Sequence, residues 1–232
     1  MKYLIVNADD FGASRGINRA IRDLHELGVV TSASLMISMP AVAEAAAMAK
    51  EKPGLGVGIH VALTDEGCNA LVDFDNVTAC EREIELQIQT FFSATGRLPT
   101  HIDSHQNVHR DQRLSPIFQS IARRYDLPLR EHSAVRYFSN FYGQWDGEPH
   151  PEHIAIESLI RMLDAELRDG ILELSCHPGY VGSDFSSPYD FERELELGTL
   201  SDSRLRDFFH DRDVRLINFR DAGAARSDAS YA

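Results

Sequence analysis

Seven short β-rich runs, at 3–7, 33–38, 56–61, 100–103, 127–130, 171–175 and 214–218, alternate with amphipathic stretches at 15–27, 41–50, 81–95, 114–125, 152–168, 191–197 and 203–211. Strand followed by helix, repeated in this way, builds a parallel sheet with crossover helices, the α/β class. The unusual polar residues then fall at one end of many strands. Asp9 and Asp10 follow the first run, His60 lies near the end of the third, Asp103 and His105 close the fourth, Arg130 the fifth, and His177 follows the sixth. An open doubly wound sheet gathers its ligands at one switch point, whereas a barrel brings every strand C-terminus round a single pocket. The distribution favours a barrel-like fold.

No repeat, low-complexity segment or Pro/Gly/Ser-rich linker divides the chain, so residues 1–222 are expected to form one domain and 223–232 a disordered tail. At 232 residues the chain can bury a substantial core. Its 23 Lys and Arg against 36 Asp and Glu leave a formal charge of −13, which argues against a nucleic-acid partner. An acidic surface suits neutral substrates and divalent cations. Cys68, Cys80 and Cys176 form no CxxC and no paired framework, consistent with a reducing interior. No apolar run reaches the ~18 residues of a membrane span, and the N-terminus lacks the features of a secretion signal. The expected location is the cytoplasm, with no membrane partner; a homodimer is compatible with the sequence.

In "NADDFG", Asn7 to Gly12, two carboxylates stand side by side where a buried strand ends. One acid could cap the helix that follows. The second needs another explanation. "HIDSHQNVH" holds His101, Asp103, His105 and His109 within nine residues, and alternation along an extended segment could point the first three of these the same way. Such clusters are often metal sites, although the spacing leaves the ligands open and a solvated polar loop is the alternative. "GVGIHVALT" carries a single histidine, His60, which alone reads as an interior residue. In "ELSCHPGY", Pro178-Gly179 is turn chemistry, and the histidine held before it is suited to proton transfer.

Together "IVNADDFG", "GVVTSASLMI", "GVGIHVALT", "HIDSHQNVH", "ELSCHPGY" and "LINFRD" resemble the YdjC family of carbohydrate deacetylases, which includes chitooligosaccharide deacetylase and hopanoid-associated deacetylases. The resemblance runs in order from about residue 3 to residue 221. It implies a single-domain distorted TIM-like (β/α) barrel of about seven strands that removes acetyl groups from N-acetylated sugars with one divalent metal ion. It further implies Asp10, His60 and His105 as metal ligands, Asp9 as catalytic base, His177 as general acid and Arg130 as the arginine steadying the base. Two imidazoles and a carboxylate suit zinc first, with magnesium as the second choice. The chemistry fits this division of labour: an amide is a poor electrophile and water a poor nucleophile, and zinc lowers the pKa of bound water from 15.7 to about 7. The departing amine needs a proton, which a histidine can give near neutrality. One carboxylate could not both hold a metal and take a proton.

Two departures from the family pattern stand out. Asn107 occupies a position that is often histidine in relatives, so it is not an obligatory ligand. The segment after His60, "LTDEGCNALVDFDNVTACERE", is shorter than in the chitooligosaccharide enzymes. Loop material at strand ends shapes a pocket, so a small N-acetylglucosamine-containing substrate is expected. The aromatic segment "RYFSNFYGQW", 136–145, reads equally as loop packing or as a sugar-stacking surface. The Glu and Asp of "YDFERELELGTL" are expected on a solvated helix face rather than at a second site. "DFG" also occurs in protein kinases, but the glycine-rich loop and the other kinase segments are missing. The remaining alternatives are a metal-dependent phosphoesterase, which would want more positive charge, and a non-catalytic carbohydrate-binding barrel, which would need neither the paired acids nor His177.

Overall fold

The computed structural model describes residues 1–223, so the expected disordered tail lies outside the described residues except for Gly223. In chain order the elements are β1 (Lys2–Phe11), α1 (Arg15–Glu26), β2 (Ser32–Leu35), α2 (Val42–Glu51), β3 (Gly56–Val61), α3 (Val77–Thr95), β4 (Ile102–Ser104), a 3-10 turn (His105–Arg110), α4 (Ser115–Tyr125), β5 (Arg136–Phe138), β6 (Gln144–Trp145), β7 (Glu148–Pro149), α5 (Ile156–Glu166), β8 (Gly170–Cys176), α6 (Asp190–Ser201), α7 (Ser203–Asp211) and β9 (Val214–Leu216). The large sheet runs β4-β3-β2-β1-β8-β5, every pair parallel, with β9 beside the start of β1. It curls into a half-barrel, the distorted TIM-like fold expected from the motifs.

β1 is the spine. Its Tyr3-Leu4-Ile5-Val6 run is buried, as a parallel strand covered on both faces requires. β8 pairs with it from Lys2 to Ala8, β9 borders its first residues and β2 its last. Helices close the outside, and Phe11, Phe91 and Phe118 are among the largest fully buried side chains. Each such ring contributes roughly 1.5–3 kcal/mol by leaving water. Gly58 on β3 is required by a close approach, since a Cβ there would lie 2.3 Å from the His101 ring.

One expected strand is corrected. Residues 127–130 form no strand and make only an isolated bridge, Leu129 to Ile102. Pro128 has no N–H to offer a ladder. The register nevertheless holds at 3.0 Å from Arg130 N to Ile102 O, which brings residue 130 to the barrel. The sequence reading missed three strands, β5 and β6 inside the aromatic segment and β7 just after it. No helix among the described residues is long and apolar enough to cross a membrane.

Candidate active site

Successive side chains on a strand face opposite ways, yet Asp9 and Asp10 both reach the barrel mouth. The backbone makes this possible: Asp10 has φ 61°, and the β1–β2 register shifts between Ala8 and Phe11. A left-handed, non-glycine residue at a bulge is strained backbone that re-aims a side chain. The two carboxylates consequently enter different surroundings.

Asp10 faces two histidines. Its Oδ1 lies 3.3 Å from His60 Nε2 and 3.3 Å from His105 Nδ1, is buried, and has no hydrogen-bond partner. Oδ2 is held by Arg193 at 2.6 Å. His60 comes from β3, with Nδ1 2.7 Å from Asp103 Oδ1, so the carboxylate fixes Nε2 toward Asp10. His105 opens the 3-10 turn, and its Nε2 lies 3.3 Å from Glu66 Oε1. Burial opposes charging of His60, but Asp103 and Asp10 outweigh it and raise its pKa to about 10. His105 is likewise pushed to about 9, against burial, by the Asp10 and Glu66 carboxylates that face its two ring nitrogens. The cluster favours positive charge between its members. An unpartnered carboxylate oxygen and two imidazole nitrogens are donors that fit a divalent transition ion.

Asp9 faces Arg130. The guanidinium holds both its oxygens at 2.8 Å, while Asn7 donates to Oδ1 at 2.8 Å and Ser175 to Oδ2 at 3.3 Å. Burial would raise the Asp9 pKa, yet Arg130 lowers it below the usual carboxylate value. Arg130 is itself buried and also pairs with Asp103 at 2.9 Å and Glu173 at 2.7 Å. Burial pushes Glu173 up to about 7 despite that arginine. Asp9, His60 and Asp103 could also surround an ion, but the guanidinium already supplies positive charge to both carboxylates.

His177 follows β8. Its Nε2 lies 3.8 Å from Asp9 Oδ2, and its Nδ1 lies 3.7 Å from Glu196 Oε1, an ion-pair distance rather than a hydrogen bond. Glu196 also accepts from the Tyr189 hydroxyl at 2.7 Å. Burial works against the charged ring, but Glu196, then Asp9 and Asp10, raise its pKa above the ordinary histidine value.

The structure therefore gathers Asp9, Asp10, His60, His105, Arg130 and His177 at one mouth. The other two histidines of "HIDSHQNVH" belong elsewhere. His101 is stacked 3.8 Å from Phe219, and burial lowers its pKa to about 4. His109 bonds to Ser104 at 2.7 Å and to Glu131 at 3.2 Å.

Sequence reasoning expected a helix here but missed which way α6 faces. Its acids were expected on a solvated face; instead Glu192 and Glu196, with Arg193 between them, are 1%, 0% and 3% exposed respectively. Arg193 grips Asp10 and Glu196 holds His177. The available signal was the four-residue spacing of Glu192, Glu196 and Leu200, which puts the acids on the side of a core leucine. The mouth opens into a cavity of about 600 Å³, lined in part by Tyr137, Phe141 and Tyr142 of the aromatic segment.

Over residues 3–211 the chain matches the family model described as YdjC-like protein. It is 37% identical to a carbohydrate deacetylase of Geobacillus stearothermophilus, covering 95% of this chain and 98% of the relative. It is 32% identical to a chitooligosaccharide deacetylase of Salmonella paratyphi B, covering 95% and 99%. A family 4 carbohydrate esterase of Streptomyces lividans shares the fold, with a TM-score of 0.58 at 12% identity over 93% of this chain and 91% of that one. By the extent of these matches, the chain belongs to the YdjC-like protein family.

Proposed function

We propose that this protein is a metal-dependent hydrolase that removes the acetyl group from a small N-acetylated sugar, one containing N-acetylglucosamine. The observation that carries the reading is the unpartnered Asp10 Oδ1 between His60 and His105, with Asp9 and His177 beside it. The relatives named carbohydrate deacetylase support it. Asp10, His60 and His105 would hold the ion, for which zinc is the first choice and magnesium the second. When bound, the ion supplies Lewis acidity to the amide carbonyl and lowers the pKa of water.

The remaining chemistry belongs to the chain. Arg130 keeps Asp9 ionised and fixed, so that its carboxylate accepts a proton from the attacking water. His177, kept protonated by Glu196, donates its proton to the amide nitrogen as the C–N bond breaks, giving acetate and the sugar amine. The site resets by moving one proton across the 3.8 Å between Asp9 and His177. A phosphoesterase is less well supported, because Arg110 and Arg193 at the cavity are already paired with Glu131 and Asp10. Three free cysteines support a cytoplasmic site of action.

Two measurements test this reading. The purified protein is expected to carry about one divalent ion per chain by elemental analysis. It should release acetate from N-acetylglucosamine and its dimer, lose this activity to a chelator and regain it with zinc. Phosphate release from phosphoesters without acetate release would replace the reading with its rival. A steep rise of kcat/KM beyond two sugar units would replace the small substrate with long oligomers.

The pH profile provides a third test. A raised His177 pKa keeps the acid protonated to higher pH, so the alkaline limb of kcat/KM should lie above the ordinary histidine value. Glu196→Gln removes the charge that raises it and should move that limb down by roughly one pH unit. An unmoved limb would mean that another group donates the proton.

A further inference from the structure

The aromatic segment at 136–145 is the motif that the proton chemistry leaves unused. Its large rings part company in the fold. Trp145 stacks on His150 with centroids 3.5 Å apart and planes 4° from parallel, and neither ring is among the cavity's lining residues. Tyr142 does line the cavity and is 39% exposed. One face of Tyr142 lies on Tyr189, 4.5 Å away and 6° from parallel, and its ring meets that of His177 at 5.8 Å and 74°.

Tyr189 is itself fixed. The Gly143 N–H donates to its hydroxyl at 2.7 Å, and that hydroxyl donates to Glu196 at 2.7 Å. Tyr142 therefore rests on a ring whose orientation is already set, which reduces the entropy lost when a ligand settles on it. A pyranose carries its hydroxyls round the rim and presents C–H groups on its faces, the surface that an aromatic face accepts. The Tyr142 and His177 ring centroids are 5.8 Å apart, so a ligand whose amide nitrogen reaches His177 brings its sugar ring beside Tyr142. The two arginines lining the cavity are neutralised, Arg110 by Glu131 at 2.7 Å and Arg193 by Asp10 at 2.6 Å. Neither is free to receive a phosphate.

We infer that Tyr142 is the sugar platform of this cavity: an uncharged N-acetylated pyranose lies on its open side with the amide nitrogen turned toward His177. This rests on the deacetylase reading and extends it to how the substrate is recognised.

The test compares Tyr142→Ala, Tyr142→Phe and Trp145→Ala in metal-loaded protein. KM and kcat are measured for N-acetylglucosamine and its dimer. Calorimetric Kd is measured for the same sugars on an Asp9→Asn background, which slows turnover. Tyr142→Ala should raise both KM and Kd roughly three- to tenfold with kcat little changed. Tyr142→Phe should match the parent, because the ring face is kept, and Trp145→Ala should be silent. Unchanged KM and Kd in Tyr142→Ala, or the loss appearing in Trp145→Ala, would overturn the platform. A higher kcat/KM for N-acetylglucosamine 6-phosphate than for the neutral sugar would overturn the charge selectivity. Sugar binding that depends on Tyr142 without any acetate release would remove the deacetylase reading and leave the platform standing. Acetate release with no dependence on Tyr142 would do the reverse, and a parent protein that neither binds nor deacetylates these sugars would remove both.

Discussion

Asp9→Asn should lose roughly 10²–10⁴ in turnover while still binding a divalent ion, whereas Asp10→Asn should lose the ion itself. The two residues are adjacent and chemically identical, so only their surroundings separate them. Asp9 has both oxygens in the Arg130 fork and lies 3.8 Å from His177. Replacing it with an amide removes a proton acceptor and leaves Asp10, His60 and His105 in place. At position 10 the amide oxygen will turn to Arg193, the donor now 2.6 Å from Oδ2, and present its NH2 to the two imidazoles. A donor then stands where a ligand oxygen is needed. Calorimetric metal titration alongside single-turnover acetate release separates the two effects. Equal metal loss in both variants would show that the pair had been divided wrongly.

Arg130→Met should cost about 3–5 kcal/mol of stability, the usual penalty for removing one partner of a buried ion pair. Asp9, Asp103 and Glu173 converge on this guanidinium, and the four side chains are 4%, 0%, 1% and 1% exposed respectively, with the last value that of Arg130. Without it, buried carboxylates face one another uncompensated. The pH dependence identifies the cause. Burial works to raise the pKa values of Asp9 and Asp103, but Arg130 brings both below the ordinary aspartate value. Carboxylates with depressed folded-state pKa values stabilise the fold above their unfolded value, and that contribution is lost as pH falls through the folded value. Without Arg130, burial raises the pKa values of these carboxylates instead, so the variant takes up protons between neutrality and pH 4 while the parent's remain ionised, and its deficit should be largest near neutrality and shrink in acid. Urea denaturation near pH 7 and near pH 4 measures it; an equal deficit at both would assign the loss to packing.

The sequence determined on its own those features that depend on local pattern. Alternating strand and helix periods gave the parallel α/β barrel. The ends of β1, β3, β4 and β8 placed Asp9, Asp10, His60, His105 and His177 at one rim, because all parallel strands finish at the same side of a sheet. The tertiary structure decided which polar groups meet. Arg193 reaches Asp10 across 183 residues, and Arg130 reaches Asp9 across 121. In sequence, the charges of α6 read as a water-facing stripe, and only the helix packed against the barrel mouth turned Glu192, Arg193 and Glu196 inward. Likewise, "HIDSHQNVH" offers four candidate ligands by spacing; the bulge that aims Asp10 and the turn beginning at His105 bring His105 beside Asp10, while the gap beside Gly58 took in His101. Period and burial act over a few residues and are written locally. The pairing of buried charges depends on chain closure over more than a hundred residues, which no local pattern encodes.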